Sequence, residues 1–112
     1  MAQESASITA SCEAFVRSLE EGRYYDAHEN LEFLWHPRRF EDDDEVRLWR
    51  GFINAAVSFE LMKRGRIKPS EVAWKTYLKY HPILETLVTP NKQLYVTIDT
   101  LIQKRRNLCL NF

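Results

Sequence analysis

The sequence predicts an all-α protein: a single compact domain of about five helices over residues 1–112, with the third helix at its centre. Three observations carry this. Apolar residues recur at spacings of three and four along most of the chain, the period of a helix packed on one side. Strict two-residue alternation, the mark of a half-buried strand, is rare. Glycine and proline number only three and four, and most of them fall where a helix should start or stop.

The first helix is expected over about Ser7–Glu21. Ile8, Cys12, Phe15, Val16 and Leu19 form its apolar stripe, and Gly22 is its natural stop. The second runs from about Tyr24 to His36 and ends at Pro37, which has no amide hydrogen and restricts the residue before it. A charged loop, RRFEDDDE, follows. Asp42 and Glu45 have the spacing of a capping box with an acidic cap, and Asp43 and Asp44 add charge where a helix N-terminus favours anions.

The third helix is expected over about Asp44–Arg64 and carries two apolar stripes. Val46, Trp49, Ile53, Ala56 and Val57 make one; Leu48, Phe52, Ala55, Phe59 and Met62 make the other. A helix apolar on two sides has neighbours on both, which places it centrally. Gly51 and the Ala55–Ala56 pair permit close approach of another helix. Lys63 and Arg64 suit the C-terminal dipole, and Gly65 supplies a left-handed cap. The fourth helix starts near Pro69, with Val72, Ala73, Tyr77, Tyr80, Leu84 and Leu87 along one side, and Pro82 kinks or splits it after Tyr80 or His81. The fifth follows Thr89–Pro90, a cap and a first-turn proline, with Leu94, Ile98, Leu101, Ile102 and Leu108 as its stripe.

Composition bounds the function. Lys plus Arg and Asp plus Glu both total 16, and this balance argues against a non-specific nucleic-acid binder, which needs net positive charge to displace counterions. Such a role would require Lys63, Arg64, Arg66 and Lys68 to merge with Lys104, Arg105 and Arg106 into one face free of acids. No apolar run approaches the roughly 18–20 residues of a membrane span, and the polar start MAQESASITA has no secretory pattern. Cys12 and Cys109 form no CxxC or zinc-ribbon spacing and read as reduced thiols of a cytoplasmic protein. There is no GxSxG, no glycine-rich phosphate loop and no Cys flanked by His.

Chemistry concentrates in YYDAHENLEFLWHP. A rotation of about 100° per residue sets His28 amid Tyr24, Leu31 and Trp35, puts Glu32 one turn on at the edge of the stripe, and points Glu29 away. His28 and Glu32 are therefore the natural pair, because residues four apart are neighbours on a helix. HENLE is not the zinc-protease HExxH, since glutamate replaces the second histidine. A His-x-x-x-Glu pair still offers two ligands of a metal site, with others needed from further helices. Glu60, inside an apolar stripe of the third helix, is expected to be half-buried and to need a partner from His28, Tyr24, Tyr25 or Arg50; His81 is another candidate ligand. Three readings of His28 stand open: a buried polar lock, half of a metal site, or part of an acid–base or ligand-binding cleft.

Tyr24-Tyr25-Asp26-Ala27-His28-Glu29-Asn30-Leu31-Glu32-Phe33-Leu34-Trp35, with its His-Glu-x-x-Glu-x-x-Trp core, resembles the signature of an uncharacterised prokaryotic family, domain of unknown function 309. Leu48-Trp49-Arg50-Gly51-Phe52-Ile53-Asn54-Ala55-Ala56-Val57 resembles its second block. The resemblance covers roughly Phe15 to Leu84 and implies a compact all-α fold of about five helices. It matches His28, Glu29, Glu32 and Trp35 to the first block and Gly51 and Asn54 to the second. Asn54 departs from the usual glutamine, and Glu60 stands near where many members carry a histidine. The family has no established activity, so the resemblance speaks to fold.

The leading expectation is a binding or structural module, a homodimer by its aromatic content, whose second and third helices meet through a buried cluster of His28, Glu32, Asn54 and Glu60. The rival is an enzyme with His28 as general base oriented by Glu32, in a cleft lined by Tyr24, Tyr25 and Trp35. A metal-dependent hydrolase with His28, Glu32 and Glu60 as ligands is a form of it. The sequence assigns no cofactor, metal or substrate.

Overall fold

The computed structural model describes residues 2–110, with side chains from Ser7 to Cys109. Its helices are α1 Ala2–Glu20, α2 Tyr24–Trp35, α3 Asp44–Lys63, α4 Ile67–Tyr80, α5 Ile83–Thr86 and α6 Lys92–Leu110, with a 3-10 turn at His36–Arg38. There is no strand among the described residues. α5 is a single turn, so five long helices carry the architecture, as the periodicity predicts. None of the described helices is long and apolar enough to cross a membrane.

Local causes set the boundaries. Gly22 and Gly65 adopt φ of 73° and 77°, a left-handed conformation that costs glycine little. Each closes its helix with a paired set of bonds: Gly65 N–H donates to the Met62 carbonyl and Arg66 N–H to that of Leu61, and Gly22 and Arg23 repeat the pattern after α1. Pro82 separates α4 from α5. α4 begins at Ile67, two residues before the expected Pro69, because a proline in the first turn lacks only an amide that has no intrahelical partner there.

The cap of α3 corrects the expected capping box. Asp43, not Asp42, is the cap: its extended backbone leaves it just outside the helix, and its Oδ1 accepts from the amides of Glu45 and Val46 at 2.8 and 3.4 Å. Asp42 pairs with Arg47 instead. Glu45 is thereby released from capping and turns toward α6.

α3 lies at the centre, with both predicted stripes largely buried, including Val46, Leu48, Trp49, Phe52, Ala55 and Phe59. α2 and α4 pack on it, α1 packs on α2, and α6 closes against α1 and α3. A chain of rings, Tyr24–Phe59–Trp74–Tyr77, crosses from α2 through α3 to α4 with centroids 5.4, 6.0 and 4.6 Å apart. Small residues set the α3–α4 spacing. A Cβ added at Gly51 would lie 3.0 Å from Tyr80 Cβ. Two turns on, Ser58 and Ser70, both fully buried, each donate to the other's carbonyl oxygen at 2.8 Å. Two stripe positions differ from expectation. Val72 is exposed because α4 buries the arc of Ser70, Ala73 and Tyr77, and Leu108 is exposed near the end of α6, beyond Ile102, the last buried residue among those whose side chains are described.

Candidate functional site

α2 buries Tyr24, Ala27, Leu31 and Leu34, an arc of spacings three and four. His28 is one position round from Ala27, at the edge of that arc. Its Nε2 lies 2.5 Å from Glu32 Oε2, and the two side chains retain 25% and 40% of their exposure. The expected contact forms, but it is no buried lock: both groups stay in reach of solvent. The Tyr25 ring, itself exposed, lies 5.6 Å from the imidazole at a tilt of 59°.

His28 sits between two depressions. One is a groove of about 220 Å³ between α2 and α3, lined by Tyr25, His28, Val57, Glu60, Leu61 and Arg64. The other runs along the outer side of α2, lined by Tyr25, His28, Glu29, Glu32 and Phe33. Glu60 is 19% exposed, as its position in the stripe suggests, but its partner is none of those expected. Arg64, one turn on, donates from Nε to Glu60 Oε1 at 2.9 Å. Both charges therefore stand on the groove's rim, above the aliphatic side chains of Val57 and Leu61.

The other predicted residues are placed elsewhere. Tyr24 is buried against Phe59 and lines a separate depression with Lys63 and Cys109; burial is the main influence pushing its hydroxyl pKa up. Trp35 is half-buried and packs on the core. Asn54 donates from Nδ2 to the Arg50 carbonyl of its own helix at 2.9 Å, so it bridges nothing between α2 and α3. His81 stacks on Tyr77, with ring centroids 4.9 Å apart, and its Nδ1 lies 3.8 Å from Asp99. Among the described residues no three His, Cys, Asp or Glu side chains are grouped so as to hold a metal ion; His28, Glu32 and Glu60 are not such a set.

Sequence reasoning missed the interior polar chemistry. Trp49 Nε1–H donates to Tyr95 Oη at 2.9 Å, and the Tyr95 hydroxyl donates to Glu45 Oε2. The same oxygen accepts from Thr89 Oγ1 and Asn91 Nδ2, each at 3.2 Å. A second cluster joins α4 to α6: Tyr77 donates to Asp99 Oδ1 at 2.5 Å, and Gln103 Nε2 donates to Tyr77 Oη at 2.9 Å. Burial, with a carboxylate as acceptor, pushes the pKa of both phenols far up. Burial also raises the Cys12 thiol to about 12, assisted by Glu45 and Glu13. Such a thiol has little thiolate and is a packing residue.

The basic residues named for a nucleic-acid face are interrupted. Arg64 is held by Glu60, Arg105 donates to the Glu20 carbonyl, and Arg106 lies 4.5 Å over the Trp74 ring. Glu21 and Lys63 line one depression.

Fold and site together describe a small all-α domain with a solvent-facing His–Glu pair beside a groove between its two central helices. The family model described as Domain of unknown function (DUF309) matches residues 12–72, more than half of the chain, and the chain belongs to that family. The matched segment holds His28, Glu32, Glu60 and Arg64 but stops within α4, before Tyr95 and Asp99. No curated protein matches the chain, and no solved structure does.

Proposed function

We propose that this protein is a binding module whose ligand-contacting surface is the α2–α3 groove, with His28 at its lip and Glu32 holding the imidazole. The observation that carries this reading is the exposure of the pair. A polar lock gains from burial, where each group depends on its partner, whereas a half-exposed imidazole beside a groove can meet something from outside. The apolar floor with few polar groups above it fits the usual make-up of a binding site. The two free cysteines suit a cytoplasmic setting, and the exposed Phe33 and Phe40 suit self-association; both belong to this proposal.

An acid–base enzyme is the second reading. The 2.5 Å contact favours it, since a carboxylate on one imidazole nitrogen sets the tautomer and leaves the other nitrogen to take a proton.

The binding reading is tested on the 15N-labelled protein with a panel of small organic fragments. Amide shifts should cluster at Tyr25, His28, Val57 and Leu61, and His28→Ala should keep the fold while losing them. Responses confined to other surfaces, or none, would contradict the reading.

A further inference from the structure

The groove also carries information on what it takes, an inference that rests on the binding reading above. Its volume of about 220 Å³ lies below the roughly 300–1,000 Å³ of sites for drug-sized ligands, so its occupant is of amino-acid size. Its floor is aliphatic, Val57 and Leu61, and its rim carries charges of both signs within one helical turn, Glu60 and Arg64.

A ligand with one charge fits this rim poorly. An anion that reaches Arg64 also faces the Glu60 carboxylate, and a cation that reaches Glu60 faces the guanidinium. A ligand carrying both charges meets each with its opposite. The groups are arranged to allow this. Glu60 takes the Nε–H of Arg64 through Oε1. The terminal guanidinium nitrogens then have the fork geometry that grips a carboxylate, and Glu60 Oε2 can accept from an ammonium. The Arg64 side chain is 61% exposed and meets a ligand without leaving the groove's edge.

We infer that the α2–α3 groove binds a free α-amino acid with an aliphatic side chain: carboxylate on Arg64, ammonium on Glu60, and side chain over Val57 and Leu61. His28 and Tyr25 line the same groove from α2. In a peptide the ammonium and carboxylate belong to different residues, so a peptide end offers this rim only one of the two.

The probes are leucine, N-acetyl-leucine and leucinamide, titrated against the intact 15N-labelled protein. N-acetyl-leucine keeps the carboxylate and mimics a peptide C-terminus; leucinamide keeps the ammonium and mimics an N-terminus. Leucine should shift the amides of His28, Val57 and Leu61, with each analogue about tenfold or more weaker, the effect of losing one charge-assisted hydrogen bond. Arg64→Gln should weaken leucine and N-acetyl-leucine by a similar factor and leave leucinamide unchanged. Either analogue binding as tightly as leucine would overturn the inference in favour of a peptide terminus. No groove response to any of the three would overturn it too. If the fragment panel still marks the groove, the binding reading survives that loss; a silent panel removes both.

Discussion

Two polar clusters on α3 and its neighbours make opposite use of similar chemistry. At the start of α3, Glu45 is half-buried against α6, and Tyr95, Thr89 and Asn91 all direct donors at one of its oxygens. On α2, Glu32 meets His28 at the surface, with water available to both. The first pair of elements cannot separate without unpairing two buried groups, the Tyr95 hydroxyl and the indole N–H of Trp49. The second can exchange its partner for solvent or ligand at small cost. A short carboxylate contact is therefore not evidence of a structural role; burial of the groups around it decides.

The largest expected effect is alkaline. Tyr77, Tyr95 and Cys12 all hold their protons more tightly folded than unfolded. Their contribution is fully present below the ordinary values, about 9 for the thiol and 10 for the phenols. It is lost as pH climbs above them, because the unfolded chain then releases protons that the folded chain keeps. Stability measured by denaturation should fall with rising pH from about pH 9–10, by roughly 1.4 kcal/mol per pH unit for each titrating group. A flat profile to pH 11 would show that these groups reach water.

Tyr95→Phe comes next. It removes the hydroxyl between Trp49 and Glu45, leaving the indole N–H unpaired, and should cost roughly 1–3 kcal/mol in a urea titration. Gly51→Ala should cost less, on the order of 1 kcal/mol: the new methyl presses on Tyr80 Cβ, an overpacking penalty of roughly 1–3 kcal/mol, while alanine returns up to about 1 kcal/mol of helix preference. A Gly51→Ala variant more stable than the parent would mean that α3 and α4 have room to shift.

Much of this fold was legible in the chain. The two stripes of α3 announced a central helix, Gly22 and Gly65 marked two helix ends, and Pro82 marked the break after Tyr80. The spacing of four residues foretold the His28–Glu32 contact. Its exposure was less legible, because a helical wheel places His28 among Leu31 and Trp35 but does not say where the packed arc ends. The Glu45 cluster was hidden for a different reason. Four consecutive acids, Asp42 to Glu45, all suit a helix N-terminus, and only the backbone at Asp43 decides which one caps. Tyr95 is 50 residues from Glu45 and Asp99 is 22 from Tyr77, and no local period links residues so far apart. Arg64 as the partner of Glu60 was the reverse case, a neighbour at spacing four passed over for Arg50 and for residues on α2.

The central claim is that His28 faces a ligand and that the structural lock lies at Glu45 and Tyr95. Urea denaturation of His28→Ala beside Tyr95→Phe tests it most directly. The half-exposed, intrahelical His28–Glu32 pair should be worth no more than about 0.5 kcal/mol, so His28→Ala should unfold within that margin of the parent while Tyr95→Phe loses roughly 1–3 kcal/mol. If His28→Ala loses as much as Tyr95→Phe, the pair on α2 is holding the fold together, and a ligand-facing role for it is wrong.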